Sequence, residues 1–281
     1  MTSIKISDVS AVVCSLNAEN SIAMCLESLV ENNIEEIILV DANSKDNTVK
    51  IASKYTNLIY SDPGKGLAIA RNIGINKASK KYILNFGCDN ILTQNCIEEM
   101  ISDINKNYTA VSVMTKLKNP NKNYLSWSLN QYKIARYFPE ERNVIGTPNL
   151  FPIEILKNNK YDNNMRWSDD ADLCDRLRLK GHKFAISNSF VYEIGSEDIK
   201  SIINRWKEYG RGDSKIYMKY SNVWNWKRKI QSYMHPFYVD LILPLINKPN
   251  LKKITIIPFL FFITSIRYYG WLINSFKPID K

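Results

Sequence analysis

Histidine is nearly absent from this 281-residue chain, which contains only His182 and His235. A histidine-rich metal centre is therefore excluded, and a Ser-His-Asp hydrolase would have to work without the nucleophile turn that such enzymes use. The cysteines are odd in number and form no C-x-x-C pair, which predicts reduced thiols rather than disulfides or a zinc site. They are Cys14, Cys25, Cys88, Cys96 and Cys174. The chemistry must rest on carboxylates.

Two nucleotide-binding motifs are also missing. No G-x-G-x-x-G follows the first apolar run, and no G-x-x-x-x-G-K-[ST] occurs, so dinucleotide-binding and phosphate-loop folds lose their main support. The glycines of residues 62–66 can expose backbone N–H groups to a diphosphate, although a plain turn explains them equally well. The apolar run Val9–Leu16 ends too early for a signal-peptide core. We therefore expect the catalytic part to stay in the cytosol.

Positive charge is abundant but confined to one part of the chain. The net charge is +10, yet residues 199–281 contain 15 basic and four acidic side chains, together with 16 of the 32 aromatic residues. Such charge indicates nucleic acid or an anionic membrane. No nucleic-acid-binding motif occurs and uncharged runs interrupt the basic region, which favours lipid and excludes nucleic acid as a partner. We predict a catalytic domain over residues 1–198 and a membrane-attachment and acceptor-access region over residues 199–281.

Apolar runs and one-sided helical patterns alternate along the first part of the chain. Strands are predicted at Val9–Leu16, Glu36–Val40, Leu58–Tyr60, Tyr82–Phe86 and Ala110–Leu117, and helices at Ser21–Val30, Asp46–Tyr55, Leu67–Ala78 and Cys96–Ile104. This alternation predicts an α/β fold with a mainly parallel sheet flanked by helices. Ligands bind beyond the carboxyl ends of such strands, which places Asn17, Asp41 and Asp89 on one rim.

The most acidic cluster of the chain, residues 167–177, opens another predicted helix. Ser168 or Asp169 can cap that helix, and its dipole favours a carboxylate in the first turn. Four carboxylates within seven residues repel one another, however, and a site that needs carboxylates explains them better.

Five segments, taken together, resemble the family 2 inverting glycosyltransferases, which have the nucleotide-diphospho-sugar transferase fold known as GT-A. They occur in the family's order over most of the first two hundred residues: 12–17, 38–48, 64–74, the turn at Asp89, and 169–177. The resemblance implies a UDP- or GDP-type sugar donor and a lipid-linked or surface-glycan acceptor.

The resemblance also implies roles for individual residues. Asp170 matches the general base, which removes a proton from the acceptor hydroxyl that attacks and inverts the anomeric carbon. The residues implied to bind the donor are Asn17, Asp41, Asp46, Lys65, Arg71 and Asp89. Those implied to support the base are Asp169, Asp172 and Arg176.

A divalent metal, Mg²⁺ or Mn²⁺, is implied as the cofactor that neutralises the diphosphate. Asp89 matches the second aspartate of the family's D-x-D, but Gly87 replaces the first. Glu193 stands near the place where the family often has a late histidine ligand, and a carboxylate can bind the same metals. The predicted metal ligands are therefore Asp89 and Glu193.

The basic region begins with a predicted helix over Asp198–Tyr220. Its Arg205-Trp206 pair resembles part of the Q-x-x-R-W motif of processive synthases, although Ile202 replaces the glutamine. We assign Arg205, Trp206 and Arg211 to the acceptor or membrane side. The glycines at 210 and 212 predict a break or bend in this helix.

Two apolar segments follow, Pro236–Ile246 and Ile254–Ile266, and the second approaches a bilayer span if it is extended to Ile273. Lysines and aromatic residues flank both segments, which favours monotopic attachment to the cytoplasmic membrane face over one short span. A soluble helical subdomain would leave this mixture unexplained.

Two other functions remain open. A polyprenyl-phosphate glycosyltransferase would use a basic membrane surface equally well. A sugar-nucleotide-binding protein without catalysis is suggested by Gly87 and the missing histidine, although the retained acidic cluster argues against it.

Overall fold

The structure is a computed structural model that describes residues 4–62, 64–195, 198–247 and 251–275, with backbone alone for 251–253. Its contacts divide the chain into two units. The first comprises Met1–Lys118 and Phe138–Ile194, and the second comprises Asn119–Tyr137 and Gly195–Lys281. The second unit therefore combines residues 119–137 from the middle of the chain with the stretch from Gly195 onward, whereas the sequence predicts a single boundary at residue 198.

The first unit contains a nine-stranded sheet. Its strands are β1 (Val9–Ser15), β2 (Glu36–Asp41), β3 (Ile59–Ser61), β4 (Tyr82–Gly87), β5 (Asn90–Leu92), β6 (Ala110–Leu117), β7 (Glu140–Arg142), β8 (Asn149–Pro152) and β9 (Phe184–Glu193). The order is β3-β2-β1-β4-β8-β6-β9-β5, with β7 also paired to β9.

Strand direction divides the sheet into two halves. The β3-β2-β1-β4 half is parallel, as predicted. In the other half β8 runs antiparallel to β4 and β6, and β5 and β7 run antiparallel to β9, while β6 and β9 are parallel. The α/β class is confirmed, but the sheet is mixed rather than mainly parallel, because this second half lacks the regular alternation of strands and crossover helices.

Helices cover both faces of the sheet. Those of the first unit are α1 (Ile22–Glu31), α2 (Thr48–Ala52), α3 (Leu67–Lys77), α4 (Cys96–Ile104), α6 (Ile153–Asn158) and α7 (Asp169–Arg178). Successive β1 residues point to opposite faces. Val13 joins a core with α1 and α4, whereas Val12 joins a second core with α3 and α7. Burial on both faces explains why the strand reads as a continuous apolar run.

The second unit is helical. It contains α5 (Tyr124–Arg136), α8 (Ile199–Tyr220), α9 (Trp226–Pro236), α10 (Leu243–Ile246) and α11 (Ile257–Ser275), with a π-helical segment at Phe237–Ile242 between α9 and α10. The helix over Ile254–Ser275 is long and apolar enough to cross a membrane by length and composition, a criterion that core helices of soluble proteins also meet.

The predicted break in α8 is wrong, because the helix continues through Gly210 and Gly212. Gly210 instead allows a close approach of α11. A Cβ atom at Gly210 would overlap the carbonyl oxygen of Arg267, and one at Gly270 would overlap that of Lys207. Gly210 and Gly270 therefore permit the close packing of α8 and α11.

Candidate active site

Asp41 lies at the carboxyl end of β2 and is buried. Its Oδ1 accepts hydrogen bonds from the hydroxyls of Ser15 (2.9 Å) and Ser44 (2.6 Å), and its Oδ2 accepts one from the Ser44 N–H (2.8 Å). The Asn17 N–H in turn donates to the Ser44 hydroxyl (2.8 Å). The structure thus brings the predicted donor residues Asn17 and Asp41 together through Ser44.

Asp46 connects the loop after β1 to the start of α2. It accepts hydrogen bonds from the backbone N–H groups of Glu19 and Thr48, both at 3.0 Å, and from the Thr48 hydroxyl at 2.5 Å. Burial opposes ionisation of Asp46, but these hydrogen bonds outweigh it and lower its pKa. Asp46 therefore contributes to this rim by holding the loop in place.

Asp62, just after β3, is a buried carboxylate that the sequence analysis did not single out. Its Oδ1 accepts a hydrogen bond from the backbone N–H of Lys65 (3.1 Å), whose side chain is exposed. Its Oδ2 has no partner within the described part of the chain, which excludes Pro63. The position of Asp62 directly after a predicted strand could have indicated a site residue, as the position of Asp41 did.

Arg71 lies on α3, is buried, and pairs with the first residue of α7. Its Nη1 donates to Asp169 Oδ2 (2.5 Å), its Nη2 donates to the Thr147 hydroxyl (2.6 Å), and its guanidinium lies 5.1 Å from the centre of the Tyr161 ring. Burial disfavours the cation, but the charge of Asp169 outweighs this and raises the pKa of Arg71. Thr147 and Tyr161 lie in irregular segments, and no sequence pattern indicated that they belong to the site.

Asp170 follows Asp169 and is half-buried. Burial raises its pKa, the charge of Asp169 raises it further and Arg71 lowers it, with a result of about 6. Gly146 leaves space beside this carboxylate, since a Cβ there would lie 3.3 Å from Asp170 Oδ2. A carboxylate with this pKa is suited to accept a proton near neutral pH.

The start of α7 is held in an uncommon geometry. Ser168, the residue before the helix, has φ of 55°, a left-handed conformation that costs energy for a residue other than glycine. Its side chain makes no capping hydrogen bond among the described residues.

Asp172 is fully buried and accepts a hydrogen bond from Arg176 Nε (2.9 Å), while Arg176 Nη2 donates to the Lys160 carbonyl (2.8 Å). Arg176 thus ties α7 to the loop before it.

Of the predicted metal ligands, Asp89 lies in the turn before β5, and Glu193 is the last residue of β9. The Ile194 N–H donates to the Asp89 carbonyl (2.7 Å), and Asn90 is paired with Glu193 between β5 and β9. The described residues contain no group of three or more histidine, cysteine or acidic side chains able to hold a metal ion. Two carboxylates nevertheless fit Mg²⁺ or Mn²⁺, because such ions commonly bind one or two carboxylates and complete their coordination with substrate phosphates and water.

Gly87 cannot be replaced by the family's first D-x-D aspartate without rearrangement. A Cβ at this position would lie 2.6 Å from Asn90 Oδ1 and 2.8 Å from Asp89 Oδ1. The side chains of Asn90 and Asp89 therefore take up the space that a longer residue at position 87 would need.

The three predicted residues of α8 have different environments. Trp206 is 1% exposed and packs against Tyr132, Tyr209 and Phe259. Arg211 donates to Glu208 (2.5 Å), and Arg205 is half-buried. Trp206 thus lies in the aromatic core of the second unit.

Comparisons with known proteins all find glycosyltransferases. A family model described as "Glycosyl transferase family 2" matches residues 10–162. The chain is 26% identical over 211 residues to the cholesterol galactosyltransferase of Borreliella burgdorferi, with 66% of this chain and 59% of that relative covered. It is 30% identical over 105 residues to UDP-Glc:alpha-D-GlcNAc-diphosphoundecaprenol beta-1,3-glucosyltransferase WfgD of Escherichia coli, with 35% and 42% covered. The chain therefore spans less than two thirds of the length of either relative.

Among solved structures, the chain resembles the mannosyltransferase PcManGT from Pyrobaculum calidifontis in complex with GDP-Man and Mn²⁺. The TM-score is 0.65 at 13% sequence identity, and the match covers 95% of this chain and 86% of the other. At this level of identity the likeness concerns the fold.

Proposed function

Because the chain belongs to glycosyl transferase family 2 and has the GT-A fold, we propose that it is an inverting glycosyltransferase. The proposed enzyme moves a sugar from a UDP- or GDP-type donor to a lipid-linked or glycan acceptor. Asp170 is its proposed general base. The observation that carries the proposal is the raised pKa of Asp170, about 6, beside the Arg71–Asp169 ion pair. A base of this pKa is ionised at neutral pH and still accepts a proton as the acceptor attacks.

The proposed reaction exchanges one glycosidic bond for another. The acceptor hydroxyl attacks the anomeric carbon in line, its proton passes to the Asp170 carboxylate, and the bond to the nucleoside diphosphate breaks. The electron pair leaves with the diphosphate, and the configuration of the anomeric carbon inverts. Arg71 and Asp169 are positioning residues, because their ion pair fixes the start of α7 and sets the charge beside Asp170.

The donor is proposed to bind along the rim formed by Asn17, Asp41 and Lys65. Asp41 supplies oxygen acceptors for the nucleoside, and Asp46 maintains the neighbouring loop. Asp89 and Glu193 would hold Mg²⁺ or Mn²⁺. When bound, the metal ion supplies positive charge to the diphosphate as its negative charge develops.

A lipid acceptor is supported by both relatives. The Borreliella protein is named for a sterol, and the Escherichia coli protein is named for a diphosphoundecaprenol-linked sugar and a UDP-sugar donor. A lipid acceptor requires the enzyme to work at a membrane surface. We therefore propose monotopic attachment to the cytoplasmic membrane face.

Asp170→Asn tests this function directly. The variant is expected to bind the donor normally and to lose about a thousandfold in transfer rate, because general-base catalysis contributes roughly 10²- to 10⁴-fold. Transfer from a panel of UDP- and GDP-sugars to detergent-dispersed lipid acceptors measures the rate. Asp175→Asn, on the same helix, is the matched control and is expected to remain active.

Other outcomes distinguish the alternatives. Full activity of Asp170→Asn would remove Asp170 as the base. Donor binding without transfer in the unmodified protein would indicate a non-catalytic binding protein. A product in which the sugar is attached directly to a polyprenyl monophosphate would identify the polyprenyl-phosphate reaction, whereas extension of an existing glycan supports the leading proposal.

A further inference from the structure

Helix α9 carries an exposed apolar face. Trp226, Ile230, Tyr233 and Met234 are 66%, 54%, 49% and 41% exposed. Their spacing of four, seven and eight residues from Trp226 places them on one side of the helix. Buried Ser232 lies outside this face. An exposed group of large apolar side chains on one helix indicates a binding surface.

The charged side chains on this stretch of chain are all basic. Between Ser214 and Val239 the chain contains five basic residues and no acidic residue. Lys227 and Lys229 follow Trp226 by one and three positions, so the helical rotation places them on opposite edges of the apolar face. The Lys227 ammonium lies 5.7 Å from the centre of the Trp226 ring. Apolar and aromatic side chains between lysines are typical of helices that lie in a membrane interface.

The apolar segments that the sequence predicts for the membrane each place part of their side chains inside the second unit. Leu241 and Leu243 from the first segment are buried, as are Leu260 and Ile263 from α11. The side of α11 that contains Gly270 packs against α8 at backbone distance. Neither segment therefore offers a fully apolar surface to lipid.

Arg267 opposes a membrane span by α11. It is buried and forms a bidentate ion pair with Asp213, in which Nε donates to Oδ2 (2.6 Å) and Nη2 donates to Oδ1 (3.0 Å). Its Nη1 also donates to Asp240 Oδ2 (3.0 Å). A spanning α11 would carry this ion cluster into hydrocarbon or separate its members, and both are costly.

We infer that the exposed face of α9, rather than α11, binds the surface of an anionic lipid bilayer. Trp226 and Ile230 enter the headgroup boundary, and Lys227 and Lys229 contact lipid phosphates on either side. The inference rests on the proposed membrane attachment and names the element that provides it. The lysines beside the apolar face and its aromatic residues favour an anionic bilayer over a protein partner.

Vesicle flotation of the full chain tests the inference. The unmodified protein is expected to float with vesicles of mixed phosphatidylglycerol and phosphatidylcholine and to be released by alkaline carbonate. Trp226→Gln/Ile230→Gln is expected to weaken partitioning by about tenfold or more for each side chain, given the free energy of burying a large apolar group. Lys227→Gln/Lys229→Gln is expected to weaken it by about fivefold per lysine on these vesicles, with little change on pure phosphatidylcholine.

The matched control is Val30→Gln/Leu179→Gln, which removes two exposed apolar side chains from the first unit and is expected to float normally. Unchanged flotation of Trp226→Gln/Ile230→Gln would overturn the inference, as would failure of the unmodified protein to float. Resistance to carbonate extraction would overturn it in favour of a spanning α11. Transfer to a detergent-dispersed acceptor is measured in parallel, so that loss of attachment and loss of the proposed activity are separated.

Discussion

Asp170 and Arg71 show how neighbouring residues set the chemistry of a single group. Asp170 shares the start of α7 with Asp169, whose charge adds to the effect of burial and raises the pKa of Asp170 to about 6. The positive charge of Arg71, which pairs with Asp169 at 2.5 Å, limits that rise. The three residues therefore form one electrostatic unit, in which only Asp170 is proposed to receive a proton.

The pH dependence of transfer follows from this unit. Protonated Asp170 cannot accept the acceptor's proton, so kcat/KM is expected to fall about tenfold per pH unit below about pH 6 and to be level above it. Asp169→Asn removes a neighbouring negative charge, lowers the pKa of Asp170 and is expected to move the inflection to lower pH. A pH–rate profile of each protein measures the effect, with Asp175→Asn as the control. An inflection that Asp169→Asn leaves in place would contradict this account.

At the scale of elements, glycines of α8 and α11 allow close helix packing, although the sequence pattern predicts that those of α8 interrupt a helix. Two glycines close together in α8 predict a break, yet the helix is continuous. Gly210 on α8 and Gly270 on α11 each lie against the backbone of the other helix. The loss of helix propensity is thus offset by the close approach that the missing side chains permit.

Gly210→Ala tests this packing. Alanine favours an isolated helix by about 1 kcal/mol, but its Cβ would overlap the Arg267 carbonyl and lie 2.8 Å from the Trp271 backbone nitrogen. We expect a net loss of about 2 kcal/mol in the free energy of unfolding and a melting temperature lower by several degrees, measured by circular dichroism. Asn204→Ala, at an exposed position of α8, should be neutral or stabilising. A Gly210→Ala protein with an unchanged or higher melting temperature would refute the packing role.

At the scale of the whole molecule, the second unit is assembled from two separate stretches of chain. Helix α5, from the middle of the sequence, packs with the π-helical segment, α10 and α11. The Tyr132 hydroxyl donates to Asp240 Oδ1 (2.6 Å), and Arg136 Nη1 donates to the same oxygen (3.0 Å). The catalytic part defined by sequence therefore carries an element whose partners lie in the C-terminal region.

A chain that ends at residue 198 tests this arrangement. It retains α5 but lacks Asp240 and the helices that bury Tyr132, so we expect it to aggregate and to bind a hydrophobic dye strongly. Size-exclusion chromatography and dye fluorescence provide the measurement. The matched control is the same shortened chain with residues 119–137 replaced by a glycine-serine linker, which should be more soluble. Equal behaviour of the two shortened chains would show that α5 does not depend on the C-terminal region.

Local pattern alone determined much of this protein. The alternation of strands and helices, the placement of Asn17 and Asp41 beyond parallel strands, and the acidic start of α7 all follow from periodicity and strand direction. These features depend on neighbours along the chain, and a sequence displays such neighbours directly.

Tertiary structure decided which of those features meet. Arg71 and Asp169 lie 98 positions apart in sequence, and no local pattern relates them. Burial and the charges of these two residues together determine the pKa of Asp170. Arg267 on α11 pairs with Asp213 and Asp240 from other parts of the second unit, while Trp226 and Ile230 on α9 stay exposed. Composition reports how much apolar surface a chain contains, whereas the packing of distant elements determines which part remains accessible.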